Sequence, residues 1–186
     1  SNSLLSYVDS NGAITPVVLT PDGQYILRSL LFTAEPNKWF FGNEAIDEYI
    51  EHDGEGRFFR SLKKFLPEPS YTGTEVHNKK LTISQMIATF LREMRVRADK
   101  FTGASVENVI LGRPALYSSD IEKDELAQKR MHEAAILAGF KHVEFCPEPL
   151  AAGLDFDKEN SSKKIVLVAD FGGGTSDFTL MKLHEG

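Results

Sequence analysis

The spacing of apolar residues changes along the chain, and each change predicts a different kind of element. Near the N-terminus, three short apolar runs are separated by turn signals of the Asn-Gly and Pro-Asp-Gly type, which predicts an antiparallel meander. The predicted strands span residues 4–8, 16–20 and 25–31. A short helix is predicted over residues 42–51, and a loop rich in Pro, Gly and Thr over residues 64–79.

A long amphipathic helix is predicted to start at Thr82, because apolar residues then recur at helical spacing while arginines and glutamates take the other face. The apolar positions are Ile83, Met86, Ile87, Phe90, Leu91 and Met94. A stripe of this kind is typical of a helix that packs on a core, and not of a cofactor-binding segment.

The second half of the chain alternates between short apolar runs and helical patterns. A capping box over residues 119–122 opens one helix and Gly139 closes it. The remaining predicted elements are strands at 109–111, 143–146, 165–170 and 177–183, a short helix from Pro147, and a polar loop over 157–164. An antiparallel start followed by this alternation predicts an α/β fold with a mixed sheet and flanking helices.

Three consecutive glycines, Gly172, Gly173 and Gly174, join the last two predicted strands. Glycine loses more backbone freedom on folding than any other residue, so this run indicates a sharp turn whose N–H groups face an anion such as phosphate. Asp170 precedes the turn and is suited to a phosphate-bound Mg²⁺, which prefers oxygen ligands. A tight hairpin turn without a ligand is the alternative interpretation.

Composition narrows the functional classes. The 186 residues carry a net charge of −6, which argues against a nucleic-acid-binding face. No apolar run approaches the roughly 20 residues of a membrane span, and the N-terminus lacks a secretory pattern. A single cysteine, Cys146, suits a reducing compartment. These features predict a cytoplasmic protein that binds neither nucleic acid nor membrane.

Common nucleotide and metal motifs do not fit. Gly172 and Gly174 resemble the start of a dinucleotide fingerprint, but Asp177 stands at its third glycine and no helical pattern follows. The chain has no phosphate-binding loop of the G-x-x-x-x-G-K-[ST] type, and its five histidines lack the spacing of a structural zinc site.

Three segments together resemble the actin-like ATPase superfamily. Residues 170–177 resemble its second phosphate motif, residues 148–153 its first connecting helix, and residues 109–115 its "VPA" strand and turn. Within that superfamily, residues 41–45 and 60–66 are similar to segments of the heat-shock protein 70 chaperone family. The Gly-Arg-Pro variant of the "VPA" segment and the form of the connecting helix resemble its YegD-like bacterial branch.

The resemblance implies a site for ATP or ADP with Mg²⁺. Asp170 would hold a magnesium-bound water, and Gly172, Gly173 and Gly174 would present their amides to the β- and γ-phosphates. Thr175 would hydrogen-bond the γ-phosphate. Hydrolysis of this kind relies on positioning and charge neutralisation, without a protein nucleophile.

Two further residues have roles implied by the resemblance. Lys63 matches the family lysine near the attacking water, with Lys64 as the alternative register, and Glu148 matches the acidic residue linked to the magnesium waters. Each also has a purely structural interpretation. Lys63 lies in a basic run that would be solvated on any surface, and Glu148 would favour the N-terminus of its helix through the dipole.

The resemblance also implies a domain organisation. Residues 1–32 and 102–186 would form a ribonuclease-H-like core subdomain, and residues 33–101 a smaller α+β insertion. Ser1, Asn2 and Ser3 are either the tail of the family's first phosphate motif or a cloning remnant, and the aspartate and Gly-Thr of that motif are absent in either case. The family's second lobe and its peptide-binding domain have no counterpart in this sequence. The chain is therefore expected to be the first lobe of an ATPase domain and to be inactive alone.

The implied parent protein is a stress-response chaperone that hydrolyses ATP to regulate binding of unfolded polypeptide clients, together with co-chaperones. A filament-forming actin-like ATPase and a non-hydrolysing scaffold remain as alternatives. The insertion that contains Lys63 favours the chaperone.

Overall fold

A computed structural model describes residues 2–158, 164–171 and 176–183. These ranges contain four α-helices: α1 (Asn43–Glu51), α2 (Ile83–Thr102), α3 (Ile121–Ala138) and α4 (Glu148–Lys158). A 3₁₀ helix spans Leu62–Phe65. The strands are β1 Asn2–Ser3, β2 Ser6–Val8, β3 Ile14–Pro16, β4 Leu27–Arg28, β5 Leu30–Thr33, β6 Phe40–Phe41, β7 Arg57–Arg60, β8 Thr74–Val76, β9 Lys79–Leu81, β10 Asn108–Arg113, β11 His142–Pro147, β12 Lys164–Phe171 and β13 Ser176–Leu183.

The N-terminal strands pair differently from the predicted meander. β2 pairs antiparallel with β3, but β4 pairs with β1 and not with β3. Of the predicted middle strand over residues 16–20, only Pro16 lies in a strand, β3. Val17 and Leu19 lie beyond β3 and bury their side chains in the core at 1% and 2% exposure. The backbone N–H of Leu19 donates to the carbonyl of Gln24 across a tight turn, so this segment closes on itself before β4 begins.

The predicted loop over residues 64–79 is wrong at both ends. Its first residues belong to the 3₁₀ helix, and its last belong to the β8–β9 hairpin. The hairpin turn places His77 and Asn78 at positive φ (49° and 61°), a conformation that usually favours glycine. His77 is held there by Thr33, whose Oγ1 lies 2.9 Å from the histidine Nε2.

The helix predicted from Thr82 is confirmed. Thr82 and Gln85 form a reciprocal capping box at the start of α2, which satisfies backbone donors at that end. The predicted apolar stripe is buried against strand β5, the 3₁₀ helix and α3, with Leu91 partly buried. The largest core cluster therefore forms around α2.

The β10–α3–β11 unit is also confirmed, with a shift at one cap. β10 and β11 are parallel, and α3 connects them. The N-cap of α3 is Asp120 and not Ser119: its carboxylate accepts from the backbone N–H groups of Glu122 and Lys123 at 3.0 and 3.2 Å. Gly139, at φ 101°, ends the helix as predicted.

Helix α4 begins at Glu148, one residue after the predicted proline, and continues to Lys158 into the predicted polar loop. β12 and β13 form the predicted antiparallel hairpin, with Asp170 opposite Asp177. The fold is mixed α/β, but among the described residues the strands form six small sheets that do not join into one. The single mixed sheet of a ribonuclease-H-like core stays a prediction.

Candidate functional site

A cavity of about 250 Å³ lies where three separate stretches of the chain meet. One stretch follows β10, the second begins α4, and the third is the middle of the β12–β13 hairpin. The lining residues are Pro114, Ala115, Glu148, Pro149, Ala152, Val168, Ala169 and Thr179. The cavity is smaller than the about 300–1,000 Å³ of sites that enclose a drug-sized ligand.

An ion pair joins two of the sequence-predicted site residues at this cavity. The Nζ of Lys63 donates to the Oε1 of Glu148 at 2.9 Å, although the residues are 85 positions apart. Their side chains are 41% and 43% exposed, so the pair contributes at most about 1 kcal/mol to stability. Lys64, the alternative register, is exposed on the same turn. The ammonium group that reaches Glu148 is that of Lys63.

The parallel strands determine where Glu148 stands. Gly112 of β10 lies opposite Cys146 of β11, and α4 starts directly after β11. A Cβ on Gly112 would lie 3.4 Å from the Glu148 Cγ and 3.6 Å from its Oε1. A Cβ fits here in ordinary contact, so the Glu148 side chain packs directly over Gly112.

A second ion pair fixes the wall formed by Pro114 and Ala115. The Nη2 of Arg113 donates to both carboxylate oxygens of Asp124, on α3, at 2.8 and 2.9 Å. The Nε of Arg113 also donates to the carbonyl of Pro114 at 3.1 Å. The two side chains are 11% and 17% exposed, so this pair is largely shielded from water.

Asp124 remains charged in this setting. Its burial raises the pKa, but the hydrogen bonds from Arg113 and from the backbone N–H groups of Tyr117 and Ser118 lower the pKa more, so the net shift is downward. The Tyr117 N–H lies 2.6 Å from the Asp124 Oδ1. The carboxylate thus ties the turn after β10 to helix α3.

Tyr117 carries a buried hydroxyl beneath this pair. Its ring lies under the Arg113 guanidinium at 5.0 Å, and its hydroxyl has no hydrogen-bond partner among the described residues. Burial raises the pKa of Tyr117 to about 12, and Arg113 opposes that shift while Glu148 and Asp124 add to it. The phenol is therefore a neutral group close to the charged site.

The phosphate-binding part of the predicted site lies largely outside the described residues. Gly172, Gly173, Gly174 and Thr175 belong to the range 172–175, which the structure does not describe. The backbone of Asp170 lies in β12, next to Ala169 of the cavity wall. Of the predicted set, the described residues bring together Lys63 and Glu148.

The donor chemistry fits magnesium held through water. Within the described ranges, no group of three or more His, Cys, Asp or Glu side chains could hold a metal ion on its own. The cavity does present the carboxylate of Glu148, and Mg²⁺ commonly binds through one or two carboxylates, phosphate oxygens and several retained waters. In the same ranges, no helix is both long and apolar enough to cross a membrane.

Sequence reasoning missed Arg113, Asp124, Tyr117 and Gly112. The only signal was the Gly-Arg-Pro variant of the "VPA" segment, in which a charged residue replaces an apolar one. A charge at the end of a partly buried strand requires a partner, which α3 supplies.

Comparison with known proteins identifies the family. The profile described as "Hsp70 protein" matches residues 36–186, which is most of the chain. The chain therefore belongs to the Hsp70 family, as the motifs predicted, and the family implies an actin-like ATPase fold. Assignment to the YegD-like branch stays a prediction.

Several relatives are named as chaperones. The Heat shock 70 kDa protein of Trichophyton rubrum is 31% identical over 154 residues, covering 80% of this chain and 22% of that protein. The Chaperone protein DnaK of Thermotoga petrophila is 25% identical over 192 aligned positions, covering 100% of this chain and 30% of that protein. The Chaperone protein HscA homolog of Shewanella loihica is 31% identical over 102 residues, covering 55% of this chain and 16% of that protein. The chain thus spans less than a third of each relative.

Proposed function

We propose that this chain is the first lobe of the ATPase domain of an Hsp70-like chaperone, and that the whole protein hydrolyses ATP with Mg²⁺ to regulate polypeptide binding. The observation that carries the proposal is the contact between Lys63 and Glu148, 2.9 Å long, beside a cavity lined by two of the motif segments and by the strands that flank the third. Lys63 and Glu148 are 85 positions apart and meet where Glu148 lines the cavity, and the family resemblance implies a role for each of them.

In this proposal, the residues divide into two groups. Lys63 orients the attacking water with its ammonium group. Glu148 holds that ammonium group in place, and its carboxylate would also accept hydrogen bonds from the waters of the magnesium ion. Asp170, the amides of Gly172, Gly173 and Gly174, and the Thr175 hydroxyl form the phosphate side of the site. Bound magnesium would neutralise charge on the β- and γ-phosphates. The protein's own contribution is positioning and electrostatic stabilisation.

The proposed architecture has a ribonuclease-H-like core formed by residues 1–32 and 102–186, with residues 33–101 as an inserted α+β subdomain. The position of Lys63 supports this division, because Lys63 follows β7 within the proposed insertion and reaches α4 of the proposed core. Clients and co-chaperones would bind elsewhere in the full-length protein. We propose a cytoplasmic location on the composition alone.

The test compares two neighbouring lysines in the full-length protein that contains this chain. Lys63→Met is expected to lower kcat for ATP hydrolysis by about 100-fold. A loss of this size is typical when one positioned electrostatic group is removed from an active site. Lys64→Met is the matched control, because Lys64 is on the same turn and exposed. It should retain the parental rate.

Equal rates for Lys63→Met and the parent protein would overturn the assignment of the site. Slow hydrolysis accompanied by ATP-dependent polymerisation, detected by light scattering, would favour a filament-forming ATPase. The absence of hydrolysis by the parent protein itself would favour a non-hydrolysing scaffold.

A further inference from the structure

One arginine of α3, Arg130, donates hydrogen bonds to the backbone of the segment that follows Lys63. Arg130 donates from Nη1 to the carbonyl oxygens of Phe65, Leu66 and Glu68 at 3.2, 2.9 and 2.9 Å. Its Nη2 donates to the carbonyl of Tyr71 at 3.1 Å. A single guanidinium therefore binds four backbone carbonyls, 59 to 65 positions away in sequence.

Backbone hydrogen bonds within the segment 65–71 reach two of those four carbonyls: the N–H of Glu68 donates to Phe65 at 3.3 Å, and the N–H of Tyr71 donates to Glu68 at 3.1 Å. Pro67 and Pro69 lack backbone N–H groups and cannot add further bonds of this kind. The rings of Phe65 and Tyr71 stack at 4.5 Å and bring the two ends of the segment together. The planar fork of Arg130 fills the interior of this closed loop with charge-assisted donors, which an ammonium group could match at only some of the carbonyls.

The first of the carbonyls that Arg130 binds belongs to the turn that carries Lys63. Phe65 is the last residue of the 3₁₀ helix, and the N–H of Leu66 donates to the carbonyl of Lys63 at 3.3 Å. The Leu66 side chain is fully buried, so this end of the turn has little freedom to move. Fixing the carbonyls of Phe65 and Leu66 therefore fixes the backbone position of Lys63.

Lys63 is then held at two points. Its ammonium group contacts Glu148 at the start of α4, and its backbone is fixed through Arg130 on α3. These two helices flank β11 in the chain. The position of the Lys63 ammonium group beside the cavity therefore depends on both contacts. The Lys63–Glu148 contact alone is too exposed to water to fix it.

We propose that Arg130 is a positioning residue for Lys63. It does not touch the cavity lining; it acts by holding the loop 65–71, and through it the turn of Lys63, against α3. This proposal rests on the proposed function of Lys63 and extends it to a residue that the motifs did not indicate.

The test uses the full-length protein and two readouts. Arg130→Met should lower kcat by about tenfold, because a displacement of about 1 Å in a positioned group costs up to about 100-fold, while KM for ATP stays unchanged. Arg130→Lys should fall between the two, because an ammonium group restores only some of these hydrogen bonds. Arg92→Met is the matched control, because Arg92 is likewise an arginine that joins two elements through a backbone carbonyl. It lies on α2 and donates to the carbonyl of Leu137, on α3, at 2.7 Å. It should leave kcat unchanged.

A double-mutant cycle separates positioning from general structural support. In the Lys63→Met background, Arg130→Met should cause no further loss of kcat, because its effect acts through Lys63. Equal losses in the two backgrounds would overturn the inference.

Hydrogen exchange provides the readout that does not depend on activity. Arg130→Met should speed amide exchange in residues 65–71 by at least about tenfold. The reason is that the free energy of one hydrogen bond to a charged donor corresponds to a factor of about ten or more in the opening equilibrium. Arg92→Met should not. Unchanged exchange in this segment would overturn the inference even if the proposed function holds. A different outcome is an unchanged kcat for Lys63→Met together with faster exchange for Arg130→Met. That outcome would reject both the proposed function and the role of Arg130 in catalysis, and Arg130 would only stabilise the segment 65–71.

Discussion

Two ion pairs lie beside the same cavity, and they differ chiefly in their access to water. Lys63 and Glu148 are 41% and 43% exposed and share one hydrogen bond. Arg113 and Asp124 are 11% and 17% exposed and share two, with further bonds to the backbone around them. The first pair can exchange partners with water or ligand at little cost, whereas the second holds the cavity wall.

This difference separates residues that perform chemistry from residues that shape the site. Removing one partner of an exposed pair leaves a charge that water can solvate. Removing one partner of a shielded pair leaves a charge in a poorly solvated place, which is strongly destabilising. The same type of contact therefore predicts an effect on the rate in one case and on the free energy of unfolding in the other.

The largest expected effect on stability is at Asp124. Asp124→Asn should lower the free energy of unfolding by about 2 kcal/mol, because Arg113 loses its counter-charge while the backbone N–H of Tyr117 keeps an acceptor. Urea denaturation of the chain measures this change.

Glu107→Gln is the control for charge removal in general. Glu107 pairs with Lys141 at 2.6 Å, but these side chains are 42% and 64% exposed. A loss for Glu107→Gln as large as that for Asp124→Asn would break the comparison, because shielding from water would then not decide the outcome.

The stabilisation by Asp124 should also depend on pH. The pKa of this carboxyl is lowered in the folded chain, so its contribution is complete above the ordinary unfolded pKa of about 3.9. It should be lost as the pH falls from that value through the lowered folded pKa. Urea midpoints of the parent and Asp124→Asn should therefore differ at about pH 6 and approach each other progressively as the pH falls below about 4. A difference that stays constant over this range would assign the stabilisation to packing and not to charge.

Local pattern was sufficient to predict that these helices form, although α4 extends further than predicted. The period of apolar residues located α2, and Gly139 located the end of α3. The N-cap of α3 was misplaced by one residue because Ser119 and Asp120 are both suitable caps, and only the fold selects between them.

The short strands were less predictable. The β8–β9 hairpin has three residues in each strand, and its turn uses His77 and Asn78 at positive φ where a sequence signal would be a glycine. Hydrogen bonding to Thr33 from a distant strand stabilises that turn, so local pattern does not encode it.

The site divides in the same way. Lys63 and Glu148 were predicted from motifs, because their roles require particular residue types at particular places. Arg113, Asp124 and Arg130 were not, since each acts through a contact between separate elements. Such contacts depend on how helices and strands pack, which the local sequence pattern does not encode.

The smallest expected change in stability is at the exposed pair, and it tests the comparison from the other side. Glu148→Gln should change the free energy of unfolding by less than about 1 kcal/mol, because water solvates Lys63 once its partner is gone. In the full-length protein, the same substitution should lower kcat for ATP hydrolysis by at least about tenfold, since Lys63 would lose its orientation. Urea denaturation measures the change in the free energy of unfolding, and steady-state ATP hydrolysis by the same variant measures the change in kcat. A stability loss as large as that of Asp124→Asn, with an unchanged kcat, would assign Glu148 a structural role and leave the cavity without its proposed carboxylate.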